Sequence, residues 1–568
     1  MPATLDLNIV LDVLLASMRY IAPVLSLILL LRCGIPLLFF RQEPEVWGWL
    51  ITPDGKRHAL KHWENVVGRN KRCDIVFDLP TISRNHCVLT RYDDGSWTIS
   101  DVGSKDGVLV NGRPVSIHAL RMGDKVTIGG LDLIFEAISP QQAKVLFGRR
   151  PRASGPADAM INLLLLTVFQ TLTCMSFCVG DDGTNLYHYL IGFGGLAICQ
   201  WVLFILYLCI RKAAFEVETI AFYLCTMGMA AICTVVPTEA VKQLIAVVLG
   251  LITFLAVGWS LRNLERAKVI RYLAAVGGVA LLAVTLIFGE EVNGAKNWLF
   301  FGDYSFQPSE LAKICFVYIG ASTMERLMNR RNIILFIVYT VMLCGFLALM
   351  NDFGTALIFF FAFLLIAYMR SGSVGTIALA CTALGFAGVI GVKIAPHAMR
   401  RFTTWRHIWE DPFGAGYQQT RALICIASGG LFGIGIGQGK MKNIFAASSD
   451  MVFATLSEEW GIIMGLFCIV FIVVLALFSM RCASVSRSSM YAIASCTAAG
   501  ILLVQTIFNA LGTVDILPLT GVNFPFVSNG GSGMMGVWGL LAFIKAGDTR
   551  RNASFAVNPI RFRRDEDD

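Results

Sequence analysis

Residues 448–480 read "SSDMVFATLSEEWGIIMGLFCIVFIVVLALFSM", with Asp450, Glu458 and Glu459 set directly ahead of an apolar run that contains no charge. A bilayer core is crossed by a helix of about 20 apolar residues, and the run near 460–479 is of that length. Similar runs lie near 161–179, 187–210, 218–236, 241–259, 269–288, 308–326, 333–349, 353–370, 374–395, 489–511 and 530–546. One more span falls between residues 8 and 40, interrupted by Arg19 and Arg32, which brings the expectation to about 13 spans. The 568 residues are 56% hydrophobic and 15% charged, with a mean hydropathy of +0.65. That is the composition of a polytopic α-helical membrane protein, not of a soluble one.

Sidedness follows from the cations. If the stretch ahead of 161 is cytoplasmic, the inside loops carry Arg149, Arg150, Arg152, Arg211, Lys212, Arg262, Arg266, Arg370, Arg481 and Arg487, and the tail adds Arg550, Arg551 and Arg561. The alternate loops "GDDGTN", "VVPTEA", "MNDFGT" and "GTVDILPLTGVNFPFVSNGG" hold no Lys or Arg, as the positive-inside rule expects. The net charge of +8 is therefore a topology signal, and no nucleic-acid partner is called for. Among 16 cysteines there is no CxxC pair and only Cys425 falls on an outside segment, so no disulfide framework is expected. Asp6 and Asp12 precede the first apolar run and no small-residue cleavage site follows it, so the reading expects no removable signal peptide. Two outside segments break the pattern by being basic: 289–307 with Lys296, and 396–459 with Arg400, Arg401, Arg406, Arg421, Lys440 and Lys442. A long basic loop with glycines and helix-like apolar pieces points to an anionic ligand.

Residues 46–138 differ from everything after them. They are polar, with short alternating runs such as "SWTISDV" and "VLVNG" between turn residues, which reads as an all-β sandwich inserted after the first span. The order "VVGRN", "TISRNH", "GSKDGVLVNG", "LRMGDKVTIGG" resembles a forkhead-associated (FHA) domain, a module that binds phosphothreonine peptides. The resemblance implies that Arg69 and Ser83 hold the phosphate with Arg84 and Lys105 beside it, that His86 is structural, and that Asn111 supports the loop. A guanidinium and a hydroxyl suit phosphate oxygens as charged and neutral donors. Where the family usually has Asn, this chain has Asp106. The division expected is a span in 1–45, the FHA domain in 46–138, a basic linker in 139–160, a membrane domain in 161–547 and a charged tail in 548–568.

The outside loops carry "NGAKNWLFFGDYSFQPSELAK" at 293–313, "NDFGTAL" at 351–357, the long stretch beginning "RRFTTWRHIWEDPFGAGYQQTR" at 400, the opening "SSDMVFATLSEEWG", and "LPLTGVNFPFVSNGGSG" at 517–533. In this order and on these loops they resemble the SEDS family (FtsW/RodA), the polytopic peptidoglycan glycosyltransferases of bacteria. The resemblance covers about residues 160–546, with two spans more than the family's usual ten. It implies that Asp450 is the catalytic carboxylate, accepting a proton from the sugar hydroxyl that displaces undecaprenyl diphosphate from lipid II, the lipid-linked disaccharide-peptide. One base and one displacement would invert the anomeric centre. Glu310 and Lys313, three apart on a helix starting at Pro308, lie on one face and line the family's cavity; an ion pair that merely holds helices together is the alternative. Arg400, Arg401, Arg406, Lys440 and Lys296 are candidates to neutralise the diphosphate. Trp298 stands at the family's outside-loop tryptophan, as substrate contact or interfacial anchor. Asp352 is a second carboxylate that also suits a helix N-cap, and Glu458 stands either at the substrate or simply at a helix N-terminus.

The sequence reading is thus an inverting glycosyltransferase with no tightly bound cofactor, no metal-ligand set, and a divalent cation (Mg or Mn) as an option. The family implies lipid II, undecaprenyl diphosphate and a class B penicillin-binding transpeptidase as partners; the FHA domain implies a Thr-phosphorylated cytoplasmic protein and a Ser/Thr kinase. The expected location is the bacterial cytoplasmic membrane, with the FHA domain inside and the active site outside. Two rivals stand beside this: a lipid II flippase, for which a polar cavity would serve equally, and a catalytically inactive phospho-reading scaffold.

Overall fold

A computed structural model describes residues 7–553, apart from 42–44, 63, 72, 93–94, 140, 143–144, 147–149, 152, 182, 213, 263, 293, 303, 326–329, 372–373, 395 and 487. The expectations placed on Asp6, Arg149, Arg152, Arg487, Arg561 and the tail past 553 lie outside the described residues, as does the side chain of Asp12.

The apolar runs form helices: α1 (Leu7–Leu38), α2 (Pro156–Gly180), α3 (Leu186–Cys209), α4 (Glu216–Val235), α5 (Ala240–Leu261), α6 (Leu264–Phe288), α7 (Pro308–Glu325), α8 (Arg330–Leu349), α9 (Phe353–Ser371) and α10 (Val374–Ile394). After a stretch with three short helices, α11 (Pro396–Thr404), α12 (Tyr417–Gly429) and α13 (Val452–Trp460), come α14 (Ile462–Ser484), α15 (Ser489–Thr513) and α16 (Gly531–Ala546). Among the described residues nine helices are long and apolar enough to cross a membrane, and Ile334–Leu349 and Gly531–Ala546 are shorter apolar ones. With α7 and α10 these fall on the runs read from the sequence. Helix α4 lies at the bundle centre, with 94% of its apolar window buried. Its Gly228 lets the 526–527 backbone approach so closely that a Cβ would stand 2.5 Å from the Val527 carbonyl oxygen. Small residues at such crossings allow backbones to meet where lipid offers no hydrophobic drive.

The opening stretch is not one helix running into a span. Gly461, at φ 85°, separates α13 from α14, so the two glutamates end a short helix instead of beginning the long one. Residues 289–307, read as a loop, form a three-stranded antiparallel sheet of β12 (Glu290–Val292), β13 (Ala295–Phe301) and β14 (Tyr304–Phe306). The aromatic run "NWLFF" between Gly294 and Gly302 carries that strand signal.

The inserted domain is a sandwich. One sheet runs in the order β2 (Arg57–Leu60), β1 (Gly48–Ile51), β11 (Leu131–Ala137), β10 (Lys125–Ile128), β7 (Val108–Val110), β8 (Arg113–Val115). The other runs β4 (Ile75–Val76), β3 (Glu64–Gly68), β5 (Cys87–Arg91), β6 (Trp97–Asp101), β9 (Ile117–Leu120). Alternate residues such as Trp97, Ile99, Val108, Val110, Leu133 and Phe135 fill the space between them, as period-two alternation requires. The domain is docked on the bundle. Ser489 Oγ at the start of α15 donates to Glu64, His62 Nδ1 stands 3.2 Å from the Ser486 carbonyl, and Arg150 pairs with Glu45 across the domain's two entry points. Residues 485–489 and 548–551 thus share one end of the bundle with the FHA domain. The helix connections 289–307, 350–352, 396–461 and 514–530 lie at the other.

Candidate active site

At that other end a cavity of about 1530 Å³ opens between β13, α8, α9, α11 and the strips before α13 and α16. Its wall carries the carboxylates Glu239, Glu310, Asp352 and Asp450, the cations Lys242 and Arg401, and Trp298. Asp450 sits on the turn ahead of α13, and three polar residues from other segments hold the backbone of 448–450. Asn509 Nδ2 of α15 donates to the Asp450 carbonyl (3.0 Å) and to that of Val522 (2.9 Å). Ser528 Oγ donates to the Ser449 carbonyl (2.7 Å) and Asn529 N to that of Ser448 (2.8 Å). The carboxylate and the Arg401 guanidinium flank one backbone point: a Cβ on Gly521 would stand 3.4 Å from Asp450 Oδ2 and 3.7 Å from Arg401 Nη2. Arg401 Nη1 is in turn fixed on the Thr520 carbonyl at 2.9 Å. Burial pushes the Asp450 carboxyl above the usual aspartate range, and the Arg401 charge opposes part of that rise.

Glu310 and Lys313 form a buried pair at 2.8 Å on the first turns of α7, and Glu310 faces the cavity. Asp352 accepts from Asn297 Nδ2 (3.0 Å) and Gln307 Nε2 (3.3 Å), while its other oxygen caps α9 by accepting from Thr355 N (3.1 Å). It is therefore both an N-cap and a cavity carboxylate. Asn297, Gln307, Asn509 and Asn529 were not singled out from the sequence, although Gln307 lies in the QPSE motif and Asn509 is a polar residue inside an apolar run, which is itself a signal. Glu239 and Lys242 were missed as well; Glu239 accepts from Asn529 Nδ2 at 2.7 Å. Several cavity-wall atoms are buried with no hydrogen-bond partner among the described residues: Gln243 Nε2, Asn297 Oδ1, Gln505 Oε1 and Thr520 Oγ1. Such atoms ask for a ligand or water.

Other expected residues stand elsewhere. Lys296 Nζ donates to the Leu286 carbonyl (2.9 Å) at the end of α6. Arg400 is exposed, and Arg406 lies over the Trp405 ring at 5.1 Å, neither lining the cavity. Neither Lys440 nor Glu458 lines the cavity; the Lys440 N–H donates to Glu458 Oε1 (3.0 Å). Glu458 also accepts from Met441 N (2.8 Å), and its neighbour Glu459 accepts from Gly439 N (3.2 Å) and Thr234 Oγ1 (2.7 Å). The two glutamates thus clamp the glycine-rich segment 433–441, and burial pushes the Glu459 carboxyl up to about 7. Among the described residues no group of three or more His, Cys, Asp or Glu comes together that would hold a metal ion.

In the FHA domain three loops meet at one exposed point. Arg69 N donates to the Ser83 carbonyl (3.0 Å), Ser83 Oγ accepts from Lys105 N (3.0 Å), and buried His86 links Ser83 N (3.2 Å) to the Gly107 carbonyl (2.9 Å). The Arg69, Arg84, Lys105 and Asp106 side chains are all exposed there. Asn111 occupies the tight turn between β7 and β8 at φ 51°, its side chain engaged with Asp124 (2.9 Å) and Lys125 N (2.9 Å).

Residues 219–551 match the family described as cell cycle protein, comprising FtsW, RodA and SpoVE, and residues 65–129 match the FHA domain. The probable peptidoglycan glycosyltransferase FtsW of Tolumonas auensis is 31% identical over 287 residues, covering 49% of this chain and 74% of that protein. The peptidoglycan glycosyltransferase RodA of Mycobacterium tuberculosis is 26% identical over 326 residues, covering 54% and 69%. A chain from a solved peptidoglycan synthase complex, reported for its coordination of polymerization and crosslinking, superposes with a TM-score of 0.50 at 23% identity, over 58% of this chain and 96% of that one. That likeness shows a shared fold. With the family match spanning more than half of its length, the chain belongs to the FtsW/RodA/SpoVE family and joins to that membrane domain an N-terminal FHA domain.

Proposed function

We propose that this protein is an inverting peptidoglycan glycosyltransferase that joins lipid-linked disaccharide-peptides at the outer face of the cytoplasmic membrane. The observation that carries the reading is Asp450: a carboxylate with a raised affinity for protons, braced at the wall of a large cavity beside a fixed guanidinium. A sugar hydroxyl is a poor nucleophile, and a positioned base that takes its proton supplies about 10² to 10⁴ in rate. A carboxyl raised by burial is the better base once ionised, and the Arg401 charge favours its ionised form. Arg401 then stands where negative charge grows on the departing diphosphate. Gln243, Asn297, Gln505 and Thr520, polar residues of the cavity wall, suit the hydroxyl and acetamido groups of a saccharide. Glu310, held by the buried Lys313, lines the cavity together with Trp298 and Asp352. The positive-inside pattern supports a cytoplasmic FHA end, and in this reading Arg69, Ser83, Arg84 and Lys105 bind a protein phosphorylated on Thr by a Ser/Thr kinase. A class B penicillin-binding transpeptidase is the membrane partner this reading calls for.

The test is the full-length protein reconstituted in vesicles with labelled lipid II. Formation of glycan strands supports the reading. Transbilayer movement of the label with no strand formation would assign a flippase instead, and neither activity would leave a scaffold.

A further inference from the structure

Helix α1 carries two arginines inside its apolar run, Arg19 and Arg32, and a charge at such a position asks for a partner or a task. They lie 13 residues apart, a rise of about 20 Å along a helix, and meet opposite ends of the bundle. Arg32 faces α2 near the FHA end: Nε donates to Asn162 Oδ1 at 2.6 Å and Nη2 lies 3.7 Å from Asp158. Arg19 reaches the catalytic end, where Nη2 donates to the carbonyl of Ile434. Its Nε is buried without a partner among the described residues. Next to it, the Tyr20 ring stands 5.2 Å from that of Phe432.

Ile434 belongs to the glycine-rich segment that Glu458 and Glu459 clamp. Ile434 N donates to the Glu458 carbonyl (3.0 Å) and Gly435 N to the Glu459 carbonyl (3.1 Å), so the segment runs along the end of α13. Arg19 closes its other side, near enough that a Cβ on Gly435 would meet Nη2 at 2.8 Å. Helix α13 begins two residues after Asp450. The rest of α1 is seated on the core: Ser26 Oγ accepts from Tyr223 OH of α4 (2.8 Å), and a Cβ on Gly34 would meet Val474 of α14 at 3.9 Å. The family match begins at residue 219, so α1 lies outside it.

We propose that Arg19 is a positioning residue for the glycosyl-transfer site: the helix that anchors the FHA domain latches segment 433–441, and through α13 this sets the aim of Asp450. The inference rests on Asp450 being the catalytic base. Displacing a reacting group by about 1 Å costs up to about 100-fold, so loss of the latch should act on turnover and not on binding.

The experiment compares full-length wild type, Arg19→Met and Arg19→Lys in vesicles with labelled lipid II, alongside amide hydrogen exchange of the same proteins. Arg19→Met keeps the length and apolar stem and removes the donors. It should lower kcat at least about tenfold with KM within about twofold, and Arg19→Lys, whose ammonium still donates, should recover most of the loss. Exchange in 433–441 should quicken in Arg19→Met while α14 and α15 stay protected. Wild-type kcat in Arg19→Met, or unchanged exchange in 433–441, overturns the proposal. Equal losses in both variants, with exchange faster throughout the bundle, would show a purely structural role and overturn it too. If wild type makes no glycan, the catalytic reading has failed on its own, and the exchange data still decide whether the latch exists.

Discussion

Glu459 shows how a residue's position in a motif differs from its task. Beside a long apolar run it reads as an acid placed at a helix N-terminus, and only the folded chain shows it buried against Thr234 and the 433–441 amides. Its carboxyl rises from the usual value of 4.5 to about 7, so the folded state binds the proton more tightly than the unfolded chain does. The stability this provides is complete below about pH 4.5 and is lost as pH rises through 7, up to ~3 kcal/mol for one group. Asp450 is raised as well and adds in the same sense. The wild type should therefore unfold at a lower temperature at pH 8 than at pH 5.5, and Glu459→Gln should flatten that slope without abolishing it. A Glu459→Gln slope as steep as wild type would show that the group is ionised in the fold. Asp450, Glu310, Asp352, Trp298 and Arg401 were legible in the sequence and do meet at one cavity, with Lys313 buried behind Glu310. The polar atoms that brace them, from Asn509, Ser528 and Asn529, were not, because a single Asn in a glycine-rich or apolar stretch has no local pattern to announce it.

Among the elements, long spans were legible since twenty apolar residues have few other uses, whereas short elements between them were not. The break at Gly461 falls at the edge where the glutamates meet the apolar run and has only a single glycine to mark it, and strands β12 to β14 are short enough to pass for a loop. The segment "GLFGIGIGQG", part of a long basic loop in the sequence, is in the structure an irregular strip with Gly433 at φ 80°. A Cβ there would fall 2.1 Å from the Glu459 carbonyl oxygen and 2.7 Å from Gly461 N, backbone atoms that cannot yield without moving α13. Gly433→Ala thus adds left-handed strain to a backbone clash, each of order 1–3 kcal/mol. A fall of several degrees in melting temperature and loss of polymerisation are expected. An unchanged melting curve would show that the strip relaxes freely and does not hold α13.

For the molecule as a whole, the two-sided arrangement follows from cation counts, but the burial of some of those cations does not. Arg550, read as part of a charged tail, pairs with Asp548 at 2.8 Å and Glu216 at 3.4 Å, and Lys545 pairs with Glu218 at 3.0 Å, all inside the bundle at the FHA end. Partners distant in sequence cannot be matched by pattern alone. The contacts of Glu64 with Ser489 and of His62 with the Ser486 carbonyl make the FHA domain a seated unit and not a tethered one, its Arg69 point left exposed. A phosphothreonine brings about −1.5 to −2 charges, and a lost guanidinium contact costs about 1.5–3 kcal/mol. Arg69→Ala in the full-length protein should weaken binding of phosphothreonine peptides at least about tenfold in a titration, leaving binding of the unphosphorylated forms as weak as before. Equal binding of both peptide forms by wild type would reduce the domain to a spacer.

The central claim is that Asp450 removes the proton from the attacking hydroxyl. Asp450→Asn keeps the shape and the backbone contacts to Asn509 while removing the basicity, so the measurement is strand formation from labelled lipid II by the reconstituted variant, with lipid II binding measured on the same sample. Polymerisation is expected to fall by about 10² or more with binding retained. An Asp450→Asn protein that polymerises at the wild-type rate would contradict the account.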